Sequence, residues 1–321
     1  MIIYHSPKNE SKGPGGKSSS MNTNTKKNER ADRIDIGLLT CGEFPETQSD
    51  YWPLRNELRN RGYRVEAIVW NDEEAETKIA DNLLFCSVWD YHQNYAFFRD
   101  WLDKTETTAN VINPARVIRW NIDKSYLKHF QSNGIPVIET IWVDKDTNPA
   151  AIREMEIPWS DLIIKPSVGA GSLGMKRFDT TKHREEALAH AENLARNCSV
   201  MLQPYLESAD LEGETALIYF GGNFSHAIHR PLAGHHAEPD EEVAGASPAK
   251  PEPDHLRIGE EVLKCMPFTP VYMRLDLLRG KENQALVLEV EMVEPSLFLG
   301  CNPGSESSYA DAVERQIKSA K

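Results

Sequence analysis

No stretch of this 321-residue chain approaches the roughly 18 consecutive apolar residues that a membrane-spanning helix needs, so no membrane partner is expected. Cysteine is sparse. Cys41, Cys86, Cys198, Cys265 and Cys301 are scattered, odd in number and free of CxxC spacing, which argues against a disulfide framework and for reduced thiols in the cytoplasm. Positive charge is also short: 36 Lys/Arg face 49 Asp/Glu, a net charge of −13. Residues 1–33 hold an excess of +4, which leaves the rest at −17, too acidic to neutralise a nucleic-acid backbone. An anionic ligand would have to be met by a few placed cations. The N-terminus shows no signal-peptide core, because Met1-Ile2-Ile3-Tyr4 gives way at once to Lys, Ser, Asn and Gly. No GxGxxG follows the first apolar strand, which removes a dinucleotide-binding Rossmann enzyme.

What is there is a globular composition, 40% apolar and 26% charged, in a chain long enough for two or three domains with a cleft between them. Residues 1–33 are predicted to be a disordered tail, since they carry too few apolar side chains to offset ordering. From Ile34 the pattern changes. Strands are predicted at Ile34–Thr40, Arg64–Trp70, Asn82–Val88 and Asn110–Asn113, with helices over 50–61 and 94–103 between them. Such alternation predicts a small parallel sheet, whose ligands lie at the carboxyl ends of the strands. Those ends carry Thr40-Cys41-Gly42-Glu43-Phe44 and Trp89-Asp90-Tyr91-His92, read as a substrate-facing rim or, more plainly, as loop chemistry with Trp89 in the core. Further helices are predicted over 122–132, 183–196 and 306–319. Strands are predicted at 137–143, Leu162–Lys165, Val200–Gln203, Thr215–Tyr219, Val271–Leu278 and Ala285–Val293, with a Pro/Gly/Ala/His/Glu-rich loop over 231–257. The fold class is α/β, with α+β character in the second part.

The densest local signal is Ile163-Ile164-Lys165-Pro166-Ser167-Val168-Gly169-Ala170-Gly171-Ser172-Leu173-Gly174-Met175. A strand delivers a lysine into a loop whose glycines permit close backbone approach, and successive N–H groups there can cradle an anion. The lysine precedes the glycines and no GK[ST] ends the loop, so this is not a Walker loop. Lys124 stands in Asn121-Ile122-Asp123-Lys124, at the predicted start of a helix whose dipole disfavours a cation. A nearby phosphate would explain it; a solvated lysine is the plain alternative.

Late in the chain, Tyr272-Met273-Arg274-Leu275-Asp276-Leu277 and Leu288-Glu289-Val290-Glu291-Met292 alternate charged and apolar residues. Residues two apart on a strand share a face, so Arg274 goes with Asp276 and Glu289 with Glu291. Paired through the Arg279–Gln284 turn, they would bring three carboxylates and an arginine onto one surface, with Glu294 nearby. Opposed like charges require a counter-ion, and an oxygen-only set fits Mg²⁺ carrying a triphosphate better than zinc. A solvated face is the alternative, and the apolar opposite faces speak against it. His226, His229, His235 and His236 lack zinc-type spacing and read as pocket or surface residues. Trp70, Trp101 and Trp142 read as core.

Taken in order, Lys124, the Lys165 strand with its glycine loop, Gln203-Pro204-Tyr205-Leu206, Glu214, Arg274-x-Asp276 and Glu289-x-Glu291 resemble the ATP-grasp ligases, particularly the glutathione-synthetase-like branch. Trp89-Asp90-Tyr91, Asn113-Pro114, Arg119-Trp120-Asn121, Asp123-Lys124, Phe224-Ser225-His226-Ala227 and Glu294-Pro295-Ser296-Leu297-Phe298-Leu299 narrow the resemblance to the O-ureido-serine cyclo-ligases of cycloserine biosynthesis, over residues 34–300. The resemblance implies a small parallel-sheet domain over 34–118 and a two-lobed ATP-grasp domain over 119–321, its lid over 137–203 and its catalytic lobe over 204–321. It implies ATP with Mg²⁺ or Mn²⁺ as cofactors. Lys124 and Lys165 would hold the phosphates under a lid containing Gly169, Gly171, Ser172 and Gly174. Gln203, Pro204, Tyr205 and Leu206 would line the adenine pocket through backbone groups, and Glu214 would bind the ribose. Asp276, Glu289 and Glu291 would ligate the metal, Glu291 standing where many relatives have asparagine. Arg274 and Arg230, with Lys165, would steady the transferring phosphoryl group. Trp89, Asp90, Tyr91, His226, Glu294 and Ser296 would face a small amino-acid-like substrate.

The activity so implied is an ADP-forming carbon–nitrogen ligase working through an acyl phosphate, joining two molecules or closing a ring, with homo-oligomerisation left open. The rival is a nucleotide-binding regulatory or scaffold module that keeps the fold without catalysis. Release of ADP with a substrate pool separates the two.

Overall fold

The computed structural model describes residues 33–72, 80–231 and 245–320. Residues 1–32 of the expected tail, residues 232–244 of the expected loop, and with them His235 and His236, lie outside the described residues.

The apolar runs β1 (Ile34–Thr40), β2 (Val65–Val69), β3 (Ala80–Ser87) and β4 (Asn110–Ile112) form an all-parallel sheet in the order β2-β1-β3-β4. Strands of such a sheet are buried on both faces, which is why β1 and β3 read as continuous hydrophobic runs. Gly37 answers the crowding: a Cβ there would meet Ile68 Cδ1 at 2.6 Å and Leu83 Cδ2 at 2.9 Å. Two helices, α1 (Trp52–Asn60) with Pro53 in its first turn and α2 (Tyr95–Thr105), cover the sheet, α2 burying Phe98 and Leu102.

A helix that was not predicted, α3 (Ala115–Asn121), comes first, and the helix predicted over 122–132 starts later, as α4 (Tyr126–Ser132). Between them Asp123 Oδ1 accepts the Ser125 N–H, a side-chain turn that competes with helical bonding. Lys124 therefore sits in a turn before α4, and its N–H donates to Ser167 O at 2.8 Å. The dipole argument for Lys124 falls with that correction.

The second sheet is antiparallel, ordered β5-β8-β6-β7. Its members are β5 (Ile141–Val143), β6 (Asp161–Pro166), β7 (Lys176–Asp179) and β8 (Val200–Pro204). The strand predicted over 137–143 shortens to β5, because the chain passes β13 before it joins the second sheet and Val137 makes only a lone bridge to Val287. Short α5 (Pro149–Arg153), capped by Asn148, and long α6 (Thr180–Ala195), capped by Asp179, pack on this sheet through Ile152, Ala187, Leu188 and Ala191.

After α7 (Ser208–Leu211), the third sheet runs antiparallel as β11-β10-β9-β12-β13. It comprises β9 (Glu214–Phe220), β10 (Asn223–Arg230), β11 (Ser247–Ala249), β12 (Tyr272–Arg279) and β13 (Ala285–Glu291), with α8 (Pro253–Cys265) and α9 (Ser305–Ser319) against it. Helix α8 corrects the loop predicted through 257. Glu252 and His255 form a capping box there and Pro253 opens the first turn, so residues that look like loop chemistry are a helix start.

The parallel sheet and the third sheet share one core, in which Leu38, Tyr51, Leu54 and Leu84 join Ile218, Phe220, Tyr272 and Tyr309. Phe220 and Tyr309 stack with centroids 4.6 Å apart. The predicted division after residue 118 falls inside α3. No helix among the described residues is long and apolar enough to cross a membrane.

Strand β13 ends the third sheet, so one edge of it lacks a strand partner. Side chains supply the missing bonds. Asn121 donates to Val290 O and accepts from Met292 N, both at 2.7 Å; Tyr126 Oη accepts from Val290 N at 2.9 Å and donates to Val290 O at 2.8 Å; Asn113 Nδ2 donates to Met292 O at 3.0 Å. The strand that bears Glu289 and Glu291 is thereby fixed along its length.

Candidate active site

A cleft of about 770 Å³ lies among the three sheets, with the charged faces of β12 and β13 along it. The hairpin pairs Arg274 with Glu291 and Asp276 with Glu289, so strand periodicity alone gathers these four groups. Arg274, 2% exposed, donates from Nε and Nη2 to Asp276 at 2.8 Å, from Nη2 to Glu291 Oε1 at 2.6 Å and from Nη1 to Ser296 O at 3.2 Å. Asp276, Glu289 and Glu291 each offer one oxygen within 4.8 Å of the others.

Both predicted lysines reach this cleft. Lys124 Nζ donates to Gly169 O at 2.9 Å and lies 3.5 Å from Glu289 Oε2, which ties the glycine loop to the acidic hairpin. Lys165, on β6, is 9% exposed. Beyond it Gly171, Ser172 and Gly174 all adopt positive φ, a path that glycine takes without a steric cost. Ile138, Leu206, Leu278 and Leu288 pack together as an apolar wall along the cleft, of the kind a flat aromatic ring needs. Arg177 Cζ stacks 3.3 Å from the Tyr205 ring centroid, and Gln203 Nε2 donates to Thr140 Oγ1 at 2.9 Å. Glu214 is fully buried and accepts from Arg230 Nε at 2.9 Å, while its Oε2 has no hydrogen-bond partner among the described residues.

The wall opposite comes from Glu294 to Leu299, and residues of the first sheet hold it. Asp50 accepts the N–H groups of Leu297, Phe298 and Leu299 at 2.6 to 2.8 Å. Tyr51 Oη donates to Pro295 O at 2.5 Å, Trp89 Nε1 to Glu294 O at 3.0 Å, and Ser296 Oγ to Gln48 Oε1 at 3.2 Å. Phe298 takes a left-handed φ of 52° within this nest.

Burial and mutual repulsion set the protonation of these groups. Burial works against charge on Glu289, but Lys124 and Lys165 outweigh it and hold that carboxyl down at about 2. Burial lifts Glu214 and Glu294 to about 7 and raises Glu291 well above the usual carboxylate range. Burial also opposes charge on Lys124, yet Glu289, Glu291 and Glu294 prevail and raise it. At Lys165 burial prevails and lowers it. Within the oxygen-only cluster burial raises Asp276 as well as Glu291, and a hard divalent cation fits a donor set made of carboxylate oxygens alone.

Of the predicted site residues, the structure brings Lys124, Lys165, Gly169, Gly171, Ser172, Gln203 to Leu206, Glu214, Arg230, Arg274, Glu289, Glu291, Trp89, Tyr91, Glu294 and Ser296 to one cleft, with Asp276 beneath Arg274, while Gly174 turns the loop outside the lining. Asp90 and His226 are not among its lining. Asp90 instead accepts from Trp70 Nε1 at 2.6 Å and Asn71 Nδ2 at 2.9 Å, and His226 bonds Leu297 O at 3.0 Å and Ser225 Oγ at 2.9 Å. Both shape the walls from behind. The positioning residues Asp50, Asn113 and Asn121 were not read from the sequence as such. Asn113 and Asn121 entered the sequence reading only within the Asn113-Pro114 and Arg119-Trp120-Asn121 motifs that carry the family resemblance, and nothing in the sequence marked Asp50.

Residues 36–113 match the family described as the N-terminal domain of D-cycloserine synthetase DcsG. Over 303 residues the chain is 29% identical to the cycloserine biosynthesis protein DcsG of Streptomyces lavendulae, covering 88% of this chain and 99% of that one. The crystal structure of D-cycloserine synthetase DcsG is similar with a TM-score of 0.78 at 28% identity, over 88% of this chain and 99% of that one. D-alanine–D-alanine ligase of Bacillus anthracis complexed with ATP shares the fold, with a TM-score of 0.58 at 17% identity over 89% and 96% of the two chains.

Proposed function

We infer that this chain, which belongs to the ATP-grasp superfamily and is an ATP-dependent, ADP-forming ligase making carbon–nitrogen bonds, activates the carboxylate of a small amino-acid-like substrate as an acyl phosphate for attack by an amine. The observation that carries this reading is the convergence of Lys124, Lys165 and Arg274 with the oxygen cluster of Asp276, Glu289 and Glu291 at one cleft.

Phosphoryl transfer needs in-line positioning and charge neutralisation more than a protein nucleophile, and that is what this set offers. Lys124 and Lys165 would meet the phosphates, with the 169–174 loop closing over them and excluding water. The backbone of Gln203 to Leu206 would hold the adenine against the apolar wall, and the unpartnered Oε2 of Glu214 would accept from a ribose hydroxyl. Arg274 and Arg230 would steady the oxygens of the transferring group. Asp276, Glu289 and Glu291 would hold Mg²⁺ or Mn²⁺, which when bound supplies charge neutralisation of the terminal phosphates. Trp89, Glu294 and Ser296 would form the substrate wall.

The likeness to a cycloserine synthetase favours closure of a ring within one molecule over the joining of two. The scattered thiols favour a cytoplasmic place. A screen of ADP release against amino acids and O-substituted serine analogues, read together with product mass, tests the reading. Nucleotide binding with no acid-stimulated ADP release would instead support a non-catalytic module.

A further inference from the structure

A second cavity, of about 600 Å³, shares no lining residue with the active cleft. The β9–β10 hairpin contributes Phe220, Phe224 and Ser225 to it, and the start of α9 with the residues before it contributes the rest.

The polar groups around this cavity divide by whether the protein already satisfies them. Asp311 accepts from Arg61 Nη1 at 2.6 Å, Asn223 Nδ2 donates to Gly221 O at 3.2 Å, and at the helix start Glu306 accepts the Gly304 N–H at 2.8 Å. What remains is rich in donors. Among the described residues the side chains of Asn302, Ser305, Ser308 and Arg315 make no hydrogen bond or ion pair. Ser305 is only 5% exposed, and a hydroxyl left unbonded at that depth costs folding free energy.

The backbone is shaped around the same place. A Cβ on Gly221 would stand 2.6 Å from Arg315 Nη2, and Gly221 and Gly222 turn the hairpin with φ of 57° and 76°, so the turn gives up side chains where the guanidinium lies. Gly304 caps α9 at a φ of 98° and offers no side chain to its first N–H groups. The positive end of a 15-residue helix therefore joins Arg315 at this cavity. With Asp311 committed to Arg61, the charge left over is positive.

Two connections lead from the cavity to the substrate wall. Asn302 follows the Glu294–Leu299 segment after one short turn, Leu299–Cys301. Ser225 Oγ lies 2.9 Å from His226 Nδ1, and His226 Nε2 lies 3.0 Å from Leu297 O. Burial disfavours a charged ring there. A carbonyl only accepts, so the one ring proton sits on Nε2 and Ser225 donates to Nδ1. An oxyanion in the cavity competes with His226 for the Ser225 proton and loosens the hold on Leu297.

We propose that this cavity is an effector site for a small oxyanion of the phosphate class, gripped by Arg315, Ser305 and the start of α9 and felt at Leu297 through Ser225 and His226. The chemistry is shared by the free ion and by an organic phosphate whose body lies on Phe224, itself 41% exposed.

The test titrates inorganic phosphate and phenyl phosphate by calorimetry into protein saturated with Mg²⁺ and a non-hydrolysable ATP analogue, so that the active cleft is filled. One further binding event is expected, weakened at least about tenfold by Arg315→Gln and at least about threefold by Ser305→Ala. Tighter binding of phenyl phosphate marks an organic phosphate; equal or weaker binding marks the free ion. Hydrogen exchange over residues 294–299 should rise at least about threefold on saturation in the wild type. Ser225→Ala should still bind the anion, but its exchange there should no longer respond. Arg315 is exposed, so Arg315→Gln should keep the wild-type Tm to within about 2 °C. No binding with the cleft filled, binding that Arg315→Gln leaves unchanged, or exchange at 294–299 that phosphate does not alter overturns the inference. The ligase reading stands in each case, since none of its residues lines this cavity.

Discussion

Arg274 and Asp276 stand two residues apart on β12 and are joined on its buried face by hydrogen bonds from Nε and Nη2, each 2.8 Å at its shortest. The same guanidinium crosses the hairpin to Glu291 at 2.6 Å. One arginine thus neutralises two of the three acids of the oxygen cluster, and Lys124 faces the third. The acidic face is therefore held together by the protein's own cations, and it is their arrangement that distinguishes the roles of the two lysines.

Lys124→Ala and Lys165→Ala should each lower ATP turnover by at least about tenfold, since each removes a charge-assisted phosphate contact. Their effects on stability should differ. Lys124→Ala strands Glu289 and should cost the ligand-free protein about 1–3 kcal/mol. Lys165→Ala removes a cation that burial already disfavours and that makes no ion pair among the described residues, so it should cost less stability than Lys124→Ala. Urea unfolding and steady-state kinetics read both, and wild-type turnover in both variants would remove the nucleotide-site assignment.

Asp50→Asn should weaken the substrate wall more than the nucleotide site. A neutral amide presents one acceptor oxygen where the carboxylate serves three N–H groups, so a loss of about 1–3 kcal/mol in stability is expected. KM for the acid should rise while KM for ATP moves little. An equal rise in both would mean that the loop supports the whole cleft and not the substrate side.

How much of this was legible follows from how far each relationship reaches along the chain. The four charges of the β12–β13 hairpin were readable because period-two alternation and one short turn fix their faces locally. Lys165 with its glycines was readable for the same reason. Asn113, Asn121 and Asp50 were not, because each binds backbone atoms more than a hundred residues away, and a backbone partner leaves no trace in side-chain pattern. Asp90 sits beside Trp89 at a strand end, as a substrate residue would, yet it bonds the indole of Trp70. Proximity to a rim does not reveal which way a short acid turns.

Activity should vanish in EDTA, return with Mg²⁺ or Mn²⁺, and be unaffected by a zinc-selective chelator. The basis is the all-oxygen set of Asp276, Glu289 and Glu291. Full turnover in EDTA would remove the metal assignment.

The stability of the ligand-free protein should carry a pH signature from Glu294. Its folded value of about 7 lies above the ordinary 4.5, so the folded state holds the proton more tightly than the unfolded one. The resulting stabilisation is fully present below pH 4.5 and is lost as pH rises through 7. Glu294→Gln has no such loss. Its advantage over the wild type should therefore grow between about pH 4.5 and 7, by on the order of 1–3 kcal/mol, and level off above. Glu289, held at about 2, acts with the opposite sign below that window. Denaturant unfolding across this range decides it, and parallel curves for the two proteins would show that Glu294 is not perturbed.

The spent nucleotide should be ADP, with an acyl phosphate on the substrate as the intermediate. The argument is one of place. Lys124, Lys165, Arg274 and the acidic hairpin line the cleft together with the left-handed run at Gly171 and Ser172, while Ile138, Leu206, Leu278 and Leu288 form an apolar cluster of their own along it. Positive charge is thus concentrated where a terminal phosphoryl group would leave, and electrostatic stabilisation is strongest for charge that develops there. Adenylation would need it at the first phosphate, beside the base. With the substrate carboxylate labelled in ¹⁸O, transfer through an acyl phosphate carries one labelled oxygen into the released phosphate, and mass spectrometry reads it together with the nucleotide. Formation of AMP, or phosphate without label, would discard this mechanism even with the fold and the cleft unchanged.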